Sequence, residues 1–529
     1  MKEQKKKSIV TGVMLLSVSG IIVKIMGLLY KIPLANLLGN EGMGYFTGAY
    51  TIYLLFYTIA TAGLPIALSI LIARARVTGG ATLVARIDKI TSAIFAVVGL
   101  TSFAVLGFGS AFFANAVGNP KSVYAVAAIS PSILFVCIMG AVRGYFQGHK
   151  IMLPTAVSQI TEAAGKLLIG VFLANYALKR GYPSEKVAAF AILGITIGSA
   201  FSMVLLLLMK FRYCRRENKT ALLLRKENGE FALPSVRTLI GEIIRIAIPV
   251  TLSSAVVSLS GVIDLATVMH RLSDIGYTTE IANALYGNYS ALAVALVNMP
   301  IVLIVPISTG LIPYVSEARA NNDRARIIKT MDNALNTTTL IAMPAAFGLA
   351  VLSKPVLLAL FEDSAALSAA PLLSLLAPSL VFIALANVTG SLLQAVDGVG
   401  VPVLSMTVGS AVKIAVSYFA IGKWGISGTP MGTFACYASI CIINFAFLAS
   451  KTNHAPGFFR VFVKPFAASV MCALSAAYVY RLAVCRIGNM MSVFLSIFAA
   501  GCVYAALIVL FGCLRDMDFD FLWKRKKQA

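Results

Sequence analysis

Apolar runs long enough to cross a bilayer recur from one end of this chain to the other. A helix rises 1.5 Å per residue, so about 20 residues cover the ~30 Å hydrocarbon layer. Runs of this kind fall at 9–37, 44–73, 90–114, 122–143, 152–175, 187–210, 241–268, 286–313, 331–352, 368–394, 402–422, 430–449, 465–483 and 491–513. That makes about fourteen spans. Of the 529 residues, 59% are hydrophobic and 12% charged, far from the balance of a soluble domain. Lipid offers the backbone no hydrogen-bond partners, so the spans must be helices. The expected fold class is an all-α polytopic membrane protein.

The net charge of +23 follows from topology and does not indicate nucleic acid. The first apolar segment is too long for a cleaved signal peptide and lacks a convincing cleavage site, so it counts as a helix. With the amino terminus in the cytoplasm, 30 of the 44 Lys and Arg fall at the cytoplasmic face, nine at the outer face and five inside spans. That asymmetry supports a cell-membrane protein with both termini cytoplasmic. The longest polar loop, Arg212 to Arg237, separates the sixth and seventh spans. It sets the expected division: an N-lobe of six helices at 1–236, a C-lobe of six at 237–450, then two extra helices and a basic, Trp-anchored tail at 451–529. Such a tail is attracted to anionic membrane lipids.

Several chemistries are disfavoured. The eight cysteines are scattered without a C-x-x-C, and the three histidines lack ligand spacing, so neither a disulfide framework nor a metal site is expected. No G-x-x-x-x-G-K-[ST] is present, which argues against nucleotide hydrolysis by a P-loop. No cofactor is implied. No loop is long enough to hold a soluble catalytic domain.

The stretch from Phe135 to Phe172 reads as an apolar helix, a polar turn at Gly144 to Lys150, and a second helix with Pro154 in its first turn. Thr155, Ser158, Gln159, Glu162 and Lys166 share one face of that second helix, and a polar stripe there must face protein or water. Phe135, Gln147, Lys166 and Phe172 recur as Phe382, Gln394, Lys413 and Phe419, each 247 positions later, while Pro154 and Pro402 miss that offset by one. A chain built twice implies two pseudo-symmetric lobes.

Candidate functional residues lie inside the spans. Lys24 and Lys31 stand with Ser17, Gly20 and Gly27 on one face of the first span. An intramembrane lysine costs about 2.5–3.5 kcal/mol on insertion scales and usually faces a cavity; snorkelling to an interface fits Lys31 better than Lys24. Phe46, Tyr50, Tyr53 and Tyr57 form a stripe, able either to stack on sugars or to serve as packing and interfacial belt. Gly63-Leu64-Pro65 should kink the second span, and Gly310 with Pro306 or Pro313 the eighth. Glu162 and Lys166 are spaced to neutralise each other. Lys413, flanked by Ser410 and Ser417, is either a cavity cation or the partner of an acid elsewhere. Asp264, with Ser253, Ser254, Ser260, Thr267 and Arg271 near its face, is expected to confront Lys24 as a coupling or static ion pair.

At Arg143 to Glu162, R-G-Y-F-Q-G-H-K-I-M-L-P-T-A-V-S-Q-I-T-E resembles the stage V sporulation protein B and polysaccharide-exporter branch of the MOP flippase superfamily. The run from Ser17 to Gly39 and N-M-P-I-V-L-I-V-P-I-S-T-G-L-I-P-Y-V-S-E-A at Asn298 to Ala318 share the resemblance, which covers nearly the whole chain. It implies two six-helix lobes around a central cavity, two extra carboxyl-terminal helices, and export of undecaprenyl-pyrophosphate-linked saccharides, the precursors of peptidoglycan and other polysaccharides. It also implies a cavity lined by basic residues of the first helix. Lys24 falls on one such position; the next falls on Tyr30, with Lys31 one residue out of register. The second and eighth spans lack the arginine carried there by lipid II flippases, which leaves the glycan open.

Physical chemistry agrees with a flippase: a pyrophosphate crossing hydrocarbon needs a cationic, watered site. Substrate contacts are therefore expected at Lys24, Lys31, Lys413, Tyr50 and Tyr53, and ion-pair coupling at Asp264, Glu162 and Lys166. A monovalent cation or the membrane potential is the candidate energy source. The alternative is a cation-coupled multidrug exporter of the same fold, which would want acids in the first lobe's cavity. A membrane glycosyltransferase or ligase would need catalytic groups on the outer loops, which are short and carry no such cluster, so an enzyme is not expected.

Overall fold

The computed structural model describes residues 2–78, 80–223, 234–361, 363–396, 398, 400–454, 457 and 459–513. The basic carboxyl-terminal tail and part of the 212–237 loop lie outside the described residues, as do the side chains before Leu15 and those of Ser17, Ser253, Pro306, Gly310 and Pro313. The described residues form helices and turns, without a strand. Among the described residues, ten helical segments are long and apolar enough to cross a membrane, or eleven with the bent pair Asp363–Leu376 and Ser379–Ala395. Two of the ten, Val18–Arg76 and Gly400–Thr452, run for 59 and 53 residues. Each is long enough for two crossings, which keeps the number compatible with about fourteen. Packing divides the chain into two compact units, Met1–Ala266 and Thr267–Ala529.

The first unit contains α1 (Lys2–Thr61), α2 (Leu64–Thr78), α3 (Gly80–Phe108), the short α4 (Ser110–Ala116), α5 (Val123–Gly148), α6 (Leu153–Lys179), α7 (Ser184–Leu223) and most of α8 (Val236–Asp274). Helix α1 is two helices joined at Gly39, whose φ of +63° suits only a residue without Cβ. The chain breaks again at Ala62-Gly63, before Pro65, as the sequence predicts. A Cβ on Gly63 would collide with the Ala247 carbonyl and Thr251 Oγ1 of α8.

The expected turn at Gly144 to Lys150 is displaced. Helix α5 runs on to Gly148, and the turn begins at His149, with Lys150 at φ +62°. Gly144 and Gly148 let α2 approach instead of breaking the helix. Their absent side chains would meet the Pro65 carbonyl at 2.9 Å and Ile72 Cβ at 2.7 Å. A glycine contact of this kind supplies packing where lipid supplies no hydrophobic drive. Pro154 opens α6 as expected. Helices α6 and α7 meet through glycines on both sides: Gly165 against Gly198, and Gly170 against Gly194.

The second unit contains α9 (Thr279–Asn288), α10 (Val294–Ala320), α11 (Arg324–Val351), α12 (Ser353–Leu360), α13 (Asp363–Leu376), α14 (Ser379–Ala395), α15 (Gly400–Trp424), α16 (Gly428–Thr452), α17 (Lys464–Ile487) and α18 (Asn489–Leu510). Helix α10 is continuous past the expected eighth-span kink. The irregularity lies earlier, in a π-helical turn at Tyr289–Ala293. Helices α17 and α18 pack on each other, with α17 against α11 and α18 against α12.

Each unit repeats one packing pattern. Helix α7 packs on both α5 and α6, and α16 packs on both α14 and α15, while the first two helices of each triplet scarcely touch. Lys166 stands thirteen positions after Leu153, the start of α6. Lys413 stands thirteen after Gly400, the start of α15. A glycine of the third helix lies against the lysine's backbone in both: Gly198 faces Lys166 N, and Gly432 faces the Lys413 carbonyl.

Candidate anion site

A cavity of about 360 Å³ opens within the first unit, between α1, α5 and α6. Helix α1 contributes Lys24, Gly27, Tyr30, Tyr50, Tyr53 and Tyr57; α6 contributes Gln159, Glu162, Ala163 and Lys166; α5 contributes Arg143. The volume falls within the usual range for ligand sites.

Lys24 is exposed on the cavity wall and makes no ion pair or hydrogen bond among the described residues. The Lys166 ammonium rests on aromatic faces, 4.5 Å from the Tyr50 ring centroid and 5.2 Å from that of Tyr30. Such cation–π contacts hold a cation without neutralising it. Tyr30 is itself buried, and its hydroxyl donates to the Ala191 carbonyl at 3.3 Å. The aromatic stripe is continuous: ring centroids from Phe46 to Tyr50, Tyr53 and Tyr57 are 6.2, 5.8 and 5.7 Å apart.

Glu162 forms no direct ion pair with Lys166, one turn along its own helix. Its Oε2 instead accepts from Arg143 Nη2 at 3.0 Å. Arg143 is only 9% exposed and also donates from Nε to Ser158 Oγ at 2.9 Å. Ser158 is fixed in turn by donating to the Thr155 carbonyl. The cavity therefore carries three cations, Lys24, Arg143 and Lys166, against the carboxylate of Glu162. Such a site attracts an anion.

The other expected residues lie apart from this wall. Lys31, half-buried on α1, is not among the cavity residues. Lys413 belongs to α15 of the second unit. Asp264 is 6% exposed on α8 and does not line the cavity. Its helix runs beside the second half of α1, where Ser258 Oγ and Thr58 Oγ1 lie 2.7 Å apart. Sequence reasoning missed Arg143 by treating it as the cytoplasmic edge of the fourth span. The available signal was Ser158 and Glu162 on the polar face of α6, which needed a donor opposite them.

Helix order, the double unit and an internal cationic cavity define a multi-pass membrane protein with the fold of the MOP-superfamily transporters. The lipid II flippase MurJ in an inward closed conformation superposes with a TM-score of 0.69 at 18% identity, covering 95% of this chain and 99% of that one. An inward-facing MATE-family multidrug resistance transporter gives 0.65 at 12% identity, covering 82% and 94%. Residues 9–319 match the polysaccharide biosynthesis protein family, and the chain belongs to it. Among Bacillus subtilis (strain 168) proteins it is 26% identical to the lipid II flippase MurJ over 474 residues, 86% of this chain and 84% of that one. Stage V sporulation protein B is 22% identical over 515 residues, 96% of each. Of these, MurJ is a flippase and the MATE protein a transporter, neither of them an enzyme.

Proposed function

We propose that this protein moves an undecaprenyl-pyrophosphate-linked saccharide from the inner to the outer leaflet by alternating access, serving cell-wall, sporulation or polysaccharide synthesis. The observation that carries this reading is the sign of the cavity: three cations against one carboxylate, beside a run of tyrosines. The cations suit a pyrophosphate, and the rings suit sugar faces. The polyprenyl tail stays in lipid. Lys24 is the leading pyrophosphate ligand, because it lines the cavity, is exposed there and makes no ion pair among the described residues. Lys31 and Lys413 serve as further cations along the path, and Asp264 as a coupling acid. A monovalent cation or the membrane potential supplies the drive, and both termini lie in the cytoplasm. A multidrug exporter of the same fold would favour organic cations, which this cavity repels.

The test is a reconstituted flipping assay with a fluorescent lipid-linked saccharide. Lys24→Ala should abolish transport and leave membrane insertion intact, since removing an intramembrane charge lowers insertion cost. Normal transport by Lys24→Ala would refute the reading.

A further inference from the structure

We propose that Arg143 is a second anion-binding residue of this cavity, with Glu162 acting as its built-in competitor. The proposal rests on the functional reading above and goes further by assigning a specificity device to a residue pair.

The geometry is specific. The Arg143 guanidinium is nine-tenths buried, with Nε held by Ser158 and Nη2 held by Glu162. Nη1 has no hydrogen-bond partner among the described residues, although Arg143 lines the cavity. A guanidinium presents five donors in a fixed fork suited to phosphate. Here the Nε–Nη2 edge is divided between the Ser158 hydroxyl and one carboxylate oxygen of Glu162, and Nη1 is left for an anion in the cavity. Burying an arginine without a partner is costly, so the empty cavity needs Glu162. An arriving phosphoryl group first meets Nη1. It then competes for Nη2, because the two phosphates together carry two charges against the single charge of the carboxylate. Displaced, Glu162 has a cation to turn to: Lys166 lies four residues further along the same face of α6. Neither charge is stranded by the exchange.

The same arrangement sets a threshold. Three cations and one carboxylate leave two positive charges on the wall. A pyrophosphate diester carries one ionised oxygen on each phosphorus and balances them. A phosphodiester, with a single ionised oxygen, does not, and gains less from displacing Glu162. Glu162 thus makes the cavity respond to the headgroup that can replace it.

The experiment measures binding of geranyl pyrophosphate to the full-length protein in nanodiscs, using Glu162→Gln, Arg143→Gln, the double variant and Lys24→Ala. One charge-assisted hydrogen bond corresponds to roughly tenfold in affinity. Glu162→Gln should bind about tenfold tighter than wild type, and Arg143→Gln about tenfold weaker. In the Arg143→Gln background, Glu162→Gln should change little, because no guanidinium remains to be released. Equal tightening by Glu162→Gln in both backgrounds would reduce Glu162 to general electrostatics and overturn the proposal. If Arg143→Gln does not fold, Glu162→Gln alone decides: absence of tightening overturns it. Loss of binding in Lys24→Ala with an indifferent Arg143–Glu162 pair would refute this inference and keep the flippase reading. Absence of binding by wild type would remove both.

Discussion

A tight contact between α6 and α7 near the site gives a prediction whose size follows from geometry. Gly198 of α7 sits where α6 carries both Glu162 and Lys166. A Cβ built there would lie 2.9 Å from Lys166 N, 3.1 Å from the Glu162 carbonyl oxygen and 3.1 Å from Gly165 C. All three neighbours are backbone, so no side chain can turn aside, and the helices must separate. Overpacking of this kind costs about 1–3 kcal/mol, against at most about 1 kcal/mol gained in helix propensity. Gly501 of α18 is the matched control, since a Cβ there meets nothing within 4 Å. Gly198→Ala should lower the unfolding midpoint in detergent relative to Gly501→Ala, by several degrees at about 2–4 °C per kcal/mol. It should also weaken pyrophosphate binding, because the displaced backbone carries Glu162 and Lys166. A midpoint equal to that of Gly501→Ala would show that the α6–α7 contact does not fix the site.

Tyr50→Leu removes the ring beneath the Lys166 ammonium, a contact worth about 0.5–2 kcal/mol. If the tyrosines stack on sugars, this variant should lose affinity for a saccharide-bearing polyprenyl pyrophosphate more than for geranyl pyrophosphate; equal losses would assign the ring to lysine placement alone. Asp264→Asn should shift the balance of inward and outward states more than it weakens binding, because a ligand moves such a balance only through differential contacts. Spin-label distances between the outer ends of the two lobes report this, and an unchanged distribution with and without substrate would make Asp264 structural.

Much of the fold was legible because lipid narrows the choices. Span-length apolar runs could only be helices, and the Gly63–Pro65 break and the Pro154 start followed from backbone chemistry. The lysine pair was legible too, since Lys166 and Lys413 recur at one offset in an apolar background. What failed was the reading of Gly144 and Gly148 as turn formers. In water a glycine pair beside a histidine and lysine marks a loop. Here both glycines are contact residues for Pro65 and Ile72, and that need is visible only once α2 is in place. The same error hid Arg143. Ending the helix too early put a cavity cation at the membrane edge, where basic residues are expected for topology alone. The partner of Glu162 was likewise set by tertiary contact: the nearest cation in sequence, Lys166, lies over tyrosine rings instead.

That division of labour among the three cations bears on selectivity. Had Glu162 paired with Lys166, the polar face of α6 would be neutral, leaving Arg143 buried without a counter-charge. Pairing Glu162 with Arg143 neutralises the more buried cation and leaves Lys166 held by quadrupoles, which retain its charge, and Lys24 without an ion pair among the described residues. On the proposed reading, the exposed charges are the ones an anion meets first, and the costly one stays compensated until that anion replaces its partner. On the same reading an organic cation would meet the opposite: two ammonium groups at the wall without an ion pair among the described residues, and an acid whose oxygen is already engaged. Reversing that preference would take more than deleting Lys24. It would require freeing Glu162, which means removing Arg143, and the buried geometry around Ser158 resists that change.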